Sequence, residues 1–261
     1  MTGVNKTLYI PLYGKSEISR RGIILNDKKA EEIWEKEGFE LKGKARSKWL
    51  ALFMSMRAAV FDEWTLRTIS KYPQAVVLHI GCGLDSRILR VGNSSNLWFD
   101  IDFPDVINER KKYFSENEKY TMLVADASET EWISALPAAP EAVVVMEGIS
   151  MYLGTEKCRR LFEALSQKYG KLCILADVYT VFAAKATKYK NPINDVGVTE
   201  VFGIDSPEEL ETEDIRFKAE HSMTPQKLVD LLQGFERSFF NTVLAGKATK
   251  KIYRLFEFEK I

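Results

Sequence analysis

The chain is poor in the residues from which metal centres and disulfide frameworks are built. Its 261 residues include two histidines, His79 and His221, and three cysteines, Cys82, Cys158 and Cys173, with no C-x-x-C pair. Zinc sites draw on clustered cysteine and histidine, so no metal centre is expected. Scattered cysteines fit reduced thiols, and the N-terminus lacks an apolar signal core, so the expected location is the cytoplasm. Basic excess is also missing: Lys plus Arg and Asp plus Glu number 37 each. Without net charge to hold a phosphate backbone or an anionic bilayer surface, neither nucleic acid nor membrane is an expected partner. No run approaches the roughly 18 apolar residues of a membrane span. A small-molecule partner remains, in a chain long enough for one large α/β domain. Nothing in the sequence speaks to the oligomeric state.

What the chain does have is Val76–Arg87, V-V-L-H-I-G-C-G-L-D-S-R. Four of its first five residues are apolar and three are β-branched, the composition of a strand buried on both faces. Gly81-Cys82-Gly83 then turns the chain sharply, and glycine lets a bulky ligand approach the main chain with no Cβ in the way. A glycine pair alone is a weak signal. It gains force from Trp98–Asp102, W-F-D-I-D, a second short strand whose closing acid lies about 20 residues on, where such folds hold a ribose. The pairing points to an adenosine-containing ligand. A dinucleotide fingerprint needs a third small residue, usually glycine, where this chain has Ser86. The adjacent Asp85 would repel a pyrophosphate and tolerate a cation, which favours S-adenosylmethionine over NAD.

Around this turn the pattern is that of a doubly wound α/β sheet. Strands are expected at Val76–Ile80, Trp98–Asp102, Thr121–Ala125, Ala142–Met146 and within Lys171–Val178, with helices between them. Upstream, Asp27 as N-cap and Gly38 as stop bracket one helix. A longer helix, from about Arg46 to Tyr72, carries Trp49, Leu52, Phe53, Met56 and Val60 at helical spacing. Arg57 lies at the edge of that stripe and, by charge alone, faces water. Residues 1–27, with Pro11, Gly14 and Gly22 among apolar groups, read as an irregular but packed arm. Residues 179–222 are too long for an ordinary crossover and read as a mostly helical insertion over the open face. Thr224-Pro225 opens a helix that Gly234 stops, and Phe235–Leu244 with Lys251–Glu259 read as an antiparallel hairpin. The expected organisation is one domain: arm and helices (1–72), cofactor-binding core (73–178), insertion (179–222), and C-terminal helix and hairpin (223–261). Asp102, Asp126 and Glu147 end strands two, three and four, making a shared polar crevice at one sheet edge. His79 reads as a core histidine, Cys82 as a small apolar residue and His221 as a loop residue, so no catalytic base is assigned.

The stretch I-G-C-G-L-D-S-R closely resembles the L-G-A-G-x-D-T-R signature of the leucine carboxyl methyltransferases and tetracenomycin-type polyketide O-methyltransferases. W-F-D-I-D-F-P-D-V-I, V-A-D-A-S-E-T-E-W and M-E-G-I-S-M-Y-L resemble three further motifs of that family, and M-x-M-R-A-A-V-F-D resembles its arginine-containing helix. The resemblance implies a class I methyltransferase fold, with a mostly parallel sheet finished by an antiparallel pair and an N-terminal arm folded near the cofactor. It implies S-adenosylmethionine as cofactor, seated at Gly81 and Gly83. By the same resemblance Arg57 grips the cofactor's carboxylate, Asp102 the ribose hydroxyls with Asp100 as rival, and Asp126 the adenine amino group. Ala127, a leucine in the family, lies beside the ring, and Glu147 lies near the sulfonium or ammonium. The implied activity is methyl transfer to a carboxyl or phenolic oxygen of a small, polyketide-like molecule, with a protein C-terminus as another acceptor of the family. A non-catalytic cofactor-binding protein and a nicotinamide-dependent oxidoreductase are the alternatives.

Overall fold

Seven strands make one sheet in the order β3-β2-β1-β4-β5-β7-β6. The structure is a computed structural model that describes residues 7–38, 41, 43–92, 95–187, 201–244 and 247–261. Helices α1 (Tyr9–Arg20), α2 (Lys28–Glu37) and α3 (Lys48–Lys71) precede β1 (Val76–Ile80). Next come α4 (Arg87–Val91), β2 (Trp98–Asp102), α5 (Pro104–Arg110), β3 (Tyr120–Val124), β4 (Glu141–Met146), α6 (Ser150–Lys168) and β5 (Lys171–Tyr179). The chain continues through α7 (Val181–Ala186), β6 (Ile215–His221), α8 (Gln226–Val229), α9 (Gly234–Phe239), α10 (Lys247–Lys250) and β7 (Tyr253–Lys260). Strands β1 to β5 are parallel, and β7 runs antiparallel between β5 and β6. The strand order reverses between β1 and β4, where an open sheet leaves a crevice beyond its carboxyl ends.

Alternate residues of each central strand feed two apolar layers. Val77, Val143 and Leu175 meet Phe61 and Trp64 of α3 on one face. Leu78, Val144 and Ile174 meet Leu161, Phe162 and Leu165 of α6 on the other. Burial on both faces explains why these strands are continuous apolar runs, each large side chain contributing about 1.5–3 kcal/mol. The helix caps form as the sequence implies: the Asp27 carboxylate accepts from the Ala30 N–H at 2.9 Å, and Gly38 is left-handed with φ of 60°.

Three expectations are corrected. Residues 1–6 of the arm lie outside the described residues; residues 9–20 are packed but are helical and not irregular. Pro11 falls in the first turn of α1, where no N–H is required, and Gly14 marks a helix crossing, not a break. A Cβ on Gly14 would lie 3.1 Å from the Ala51 Cα of α3. Besides β5, β7 pairs antiparallel with β6, within the presumed insertion, while residues 235–244 are helical. The alternation I-R-F-K-A-E-H marks β6 as a strand. Phe235, Phe239 and Phe240 are spaced for one helix face, and all three pack on Trp49 with ring centroids 4.2–6.4 Å apart. That tertiary contact overrides their strand propensity. Gly234, expected to stop the preceding helix, instead begins α9, and α8 is a single short turn. The rest of the insertion holds α7 and a 3-10 turn at Pro207–Leu210, and residues 188–200 lie outside the described residues. Among the described residues no helix is long and apolar enough to cross a membrane.

The α1–α3 crossing gives a direct test. Gly14→Leu should force the helices apart and lower unfolding free energy by about 1–3 kcal/mol or more, the cost of overpacking, as measured by urea denaturation. An unchanged midpoint would mean that α1 does not rest on Ala51.

Candidate active site

The carboxyl ends of β1 to β5 converge on a cavity of about 700 Å³. β1 leaves the sheet through Gly81 and Gly83, with φ of 72° and 53°. A Cβ on Gly81 would lie 2.7 Å from Ile149 Cδ1, so both the backbone conformation and the packing require glycine there. The Gly83 N–H donates to Asp102 Oδ2 at 2.8 Å, and Asp102 Oδ1 accepts from the Phe103 N–H at 2.8 Å. Burial pushes the Asp102 carboxyl above its ordinary value despite these bonds. Asp126 accepts from the Ser128 N–H at 2.8 Å and lines the cavity beside buried Ala127. Residues of the arm, Thr7, Leu8, Ile10, Pro11, Leu12 and Lys15, line its other side.

The inner wall is a lattice of buried charge. Glu147 pairs with Arg57 Nη2 at 3.0 Å and with Arg87. Arg57 Nη1 continues to Asp177 at 2.8 Å and donates to the Tyr253 hydroxyl at 3.1 Å. Burial alone would push the Glu147 carboxyl up, but the two guanidinium groups outweigh it and hold it at about 2. Asp177 goes the other way: complete enclosure raises its carboxyl, and Arg57 and the Gly148 N–H offset only part of this. Arg57 is 4% exposed, so the solvated face that its charge implies is overturned. A buried guanidinium is tolerated because two carboxylates and a phenol meet it.

Asp85, read from the sequence as an acid that tolerates a cation, does line the cavity, but it is held by Lys15 at 3.1 Å, Arg87 at 2.8 Å and Arg90 at 2.7 Å. Asp102, Asp126 and Glu147 line the same wall. Asp100, the rival to Asp102, is fully buried among His79, Trp98, Arg110 and Tyr120 and does not reach the cavity. His79 is thus a hydrogen-bonded core residue. Burial pushes the Cys82 thiol up, so it is no nucleophile at neutral pH. His221 ends β6, pairs with Glu257 at 2.6 Å and does not line the cavity. Sequence reasoning passed over Asp177, Arg87 and Lys15. Asp177 was legible as an acid inside the apolar strand L-C-I-L-A-D-V-Y, a fourth in the series that ends β2, β3 and β4.

This arrangement is that of a class I S-adenosylmethionine-dependent methyltransferase, and solved structures share the fold. Magnesium protoporphyrin IX methyltransferase from Synechocystis PCC 6803, with bound SAH, matches with a TM-score of 0.51 at 11% identity, over 88% of this chain and 94% of that one. An S-adenosylmethionine dependent methyltransferase from Mesorhizobium loti matches with a TM-score of 0.50 at 12% identity, over 76% and 98%. Residues 12–166 match the leucine carboxyl methyltransferase family. The chain is 31% identical over 231 residues to the tetracenomycin polyketide synthesis O-methyltransferase TcmP of Streptomyces glaucescens, covering 85% of this chain and 84% of that protein. It is 23% identical over 235 residues to the S-adenosyl-L-methionine-dependent methyltransferase dpfgK of Gibberella zeae, covering 81% and 79%. The chain belongs to the leucine carboxyl methyltransferase family: it is a methyltransferase, and its cofactor is S-adenosylmethionine. That membership sets aside the oxidoreductase alternative.

The Glu147 bridge predicts an acid response. Its native carboxyl titrates at about 2 against an ordinary 4.5, so the folded state binds the proton less tightly than the unfolded chain. The stabilisation is complete above the ordinary value and is lost as pH falls from about 4.5 to about 2. Glu147→Gln should cost about 3–5 kcal/mol at neutral pH, the cost of breaking a buried pair. Melting curves of wild type and variant should converge as the pH falls through that window. A gap that persists to the bottom of the window would rule out an ionised Glu147.

Proposed function

We propose that this enzyme methylates a carboxylate oxygen of a small, polyketide-like molecule. The observation that carries this reading is that, among the described residues, no exposed histidine stands on the cavity wall. His79 reaches the wall but is 1% exposed, sunk in β1 against Asp100, and His221 is elsewhere. Tyr152, Tyr179 and Tyr253 line the cavity, and burial pushes all three phenols up, so they stay protonated. A phenolic acceptor, near 10, must surrender a proton to a base, whereas a carboxyl acceptor, near 4, is already an anion. The name of TcmP, which places that relative in polyketide synthesis, supports the acceptor class. Three buried cysteines without disulfides suit a cytoplasmic enzyme.

The residues fit the cofactor. Gly81 and Gly83 line the cavity in left-handed conformations that bring bare main chain to its wall, and we assign Asp102 to the ribose hydroxyls and Asp126, with Ala127, to adenine. Arg57 Nε has no hydrogen-bond partner among the described residues, and we assign it to the cofactor's carboxylate. Glu147 then places negative charge beside the cationic end. Held there, S-adenosylmethionine would supply a methyl group on a sulfonium, which a carboxylate oxygen would take as the carbon–sulfur bond breaks, the anion and the cation being neutralised together. The chain's own part would be to position donor and acceptor and to exclude water, with no covalent enzyme intermediate.

With a carboxylate acceptor, kcat limited by methyl transfer should stay flat from about pH 6 to 8, and His221→Ala should leave it unchanged. A rate that climbs across that range would point to a phenol. Arg57→Lys should weaken S-adenosylhomocysteine binding by about 1.5–3 kcal/mol in calorimetric titration, the range for hydrogen bonds to charged groups. Undiminished affinity in the folded variant would return Arg57 to a purely structural role.

A further inference from the structure

Arg110 ends α5, is fully buried and does not line the cavity, yet it reaches the glycine turn. Its three nitrogens have three different tasks. Nη2 pairs with Asp100, Nε donates to the Tyr120 hydroxyl at 3.0 Å, and Nη1 donates to the Gly83 carbonyl at 3.1 Å. Asp100 is saturated in turn: one oxygen accepts from His79 Nδ1 at 3.0 Å and Trp98 Nε1 at 2.9 Å, and the other from Arg110 and from the Tyr120 hydroxyl at 2.6 Å. Four donors use all the lone-pair sites of a carboxylate. Through Arg110 the network grips the main chain of the turn.

That grip is complemented from the other side. The N–H of Gly83 donates to Asp102 and its C=O accepts from Arg110, so the peptide planes before and after its Cα are both fixed. Glycine at a φ of 53° has no side chain to limit its torsions. Two hydrogen bonds do so instead. An ion pair enclosed this deeply seldom offsets its own desolvation, so its burial calls for a role other than stability. We infer that Arg110 is a positioning residue for the cofactor: through Gly83 it sets the spacing between the glycine turn and the Asp102 carboxylate. The inference rests on the turn being the cofactor seat and is independent of the acceptor.

The test is calorimetric titration of S-adenosylhomocysteine into the whole protein. Arg110→Lys keeps the charge against Asp100 but has one nitrogen and cannot serve Asp100, Tyr120 and Gly83 together. Its Kd should rise about tenfold, equivalent to about 1.4 kcal/mol, at unchanged stoichiometry, and hydrogen exchange of the peptide containing Gly83 should quicken. Should Arg110→Lys not fold, Tyr120→Phe removes the hydroxyl that orients Nε, keeps the ion pair, and should raise Kd by a smaller factor in the same direction. A purely structural role would lower the stoichiometry and leave Kd unchanged; that result, or an unchanged Kd at full stoichiometry, overturns the inference. Gly83→Ala separates the two readings. If it weakens binding while the Arg110 and Tyr120 variants do not, the positioning role alone falls; if none weakens binding, the assignment of the turn falls with it.

Discussion

One carboxylate beneath two guanidinium groups holds the walls of this cavity in register. Glu147 follows β4, Arg57 comes from the middle of α3, and Arg87 from the start of α4. Through Arg57 the bridge extends to Asp177 in β5 and Tyr253 in β7. Through Arg87 and Asp85 it extends to Lys15 in α1. Elements scattered along the chain thus meet at charges that are largely withdrawn from bulk water. Removing any one leaves a partner buried without compensation, so the arrangement is cooperative and resists gradual deformation. A hydrophobic core alone would fix the layers but not their register, since apolar contacts have little direction. The direction comes from the ion pairs.

The sheet core was legible because its signals are local. A both-faces-buried strand is a mostly apolar run, and β1, β4 and β5 read as such to within a residue or two, while β2 was marked by its closing acid. The glycine turn and the acid after each strand were legible for the same reason. The misreadings arose where a residue has one meaning in isolation and another in contact. Pro11 and Gly14 signal irregular backbone until α3 lies beneath them. Phe235, Phe239 and Phe240 favour a strand until Trp49 offers a helix face a ring to pack on. The acidic run before Ile215 drew attention from the alternation that defines β6. A strand paired only with β7, distant in sequence, has no local turn signal to announce it.

Charged residues were harder still. Asp100 and Asp102 are two apart and so share a face of β2, and only the point at which the strand ends separates a core anion from a cavity anion. Asp85 and Arg57 were read by their charge as facing a ligand or facing water. Arg57 is met by Glu147 and Asp177, far away in sequence, and Asp85 by distant Lys15 as well as by its neighbours Arg87 and Arg90. Resemblance to a family supplied for Arg57 what periodicity did not: an inward-facing arginine on α3.

The position of β7 also bears on the order of assembly. It follows every other strand in the chain, yet it sits between β5 and β6. During synthesis, which folds amino-terminal segments first, β1 to β5 can pair as they emerge, while β6 has no neighbour until β7 arrives. Tyr253, the phenol that completes the coordination of Arg57, enters with that strand. The part of the crevice built on β1 to β3 can therefore form before the aromatic wall that includes Tyr253 is in place. Until β7 arrives, β6 and the outer edge of β5 are both unpaired, and these are the edges open to aberrant association.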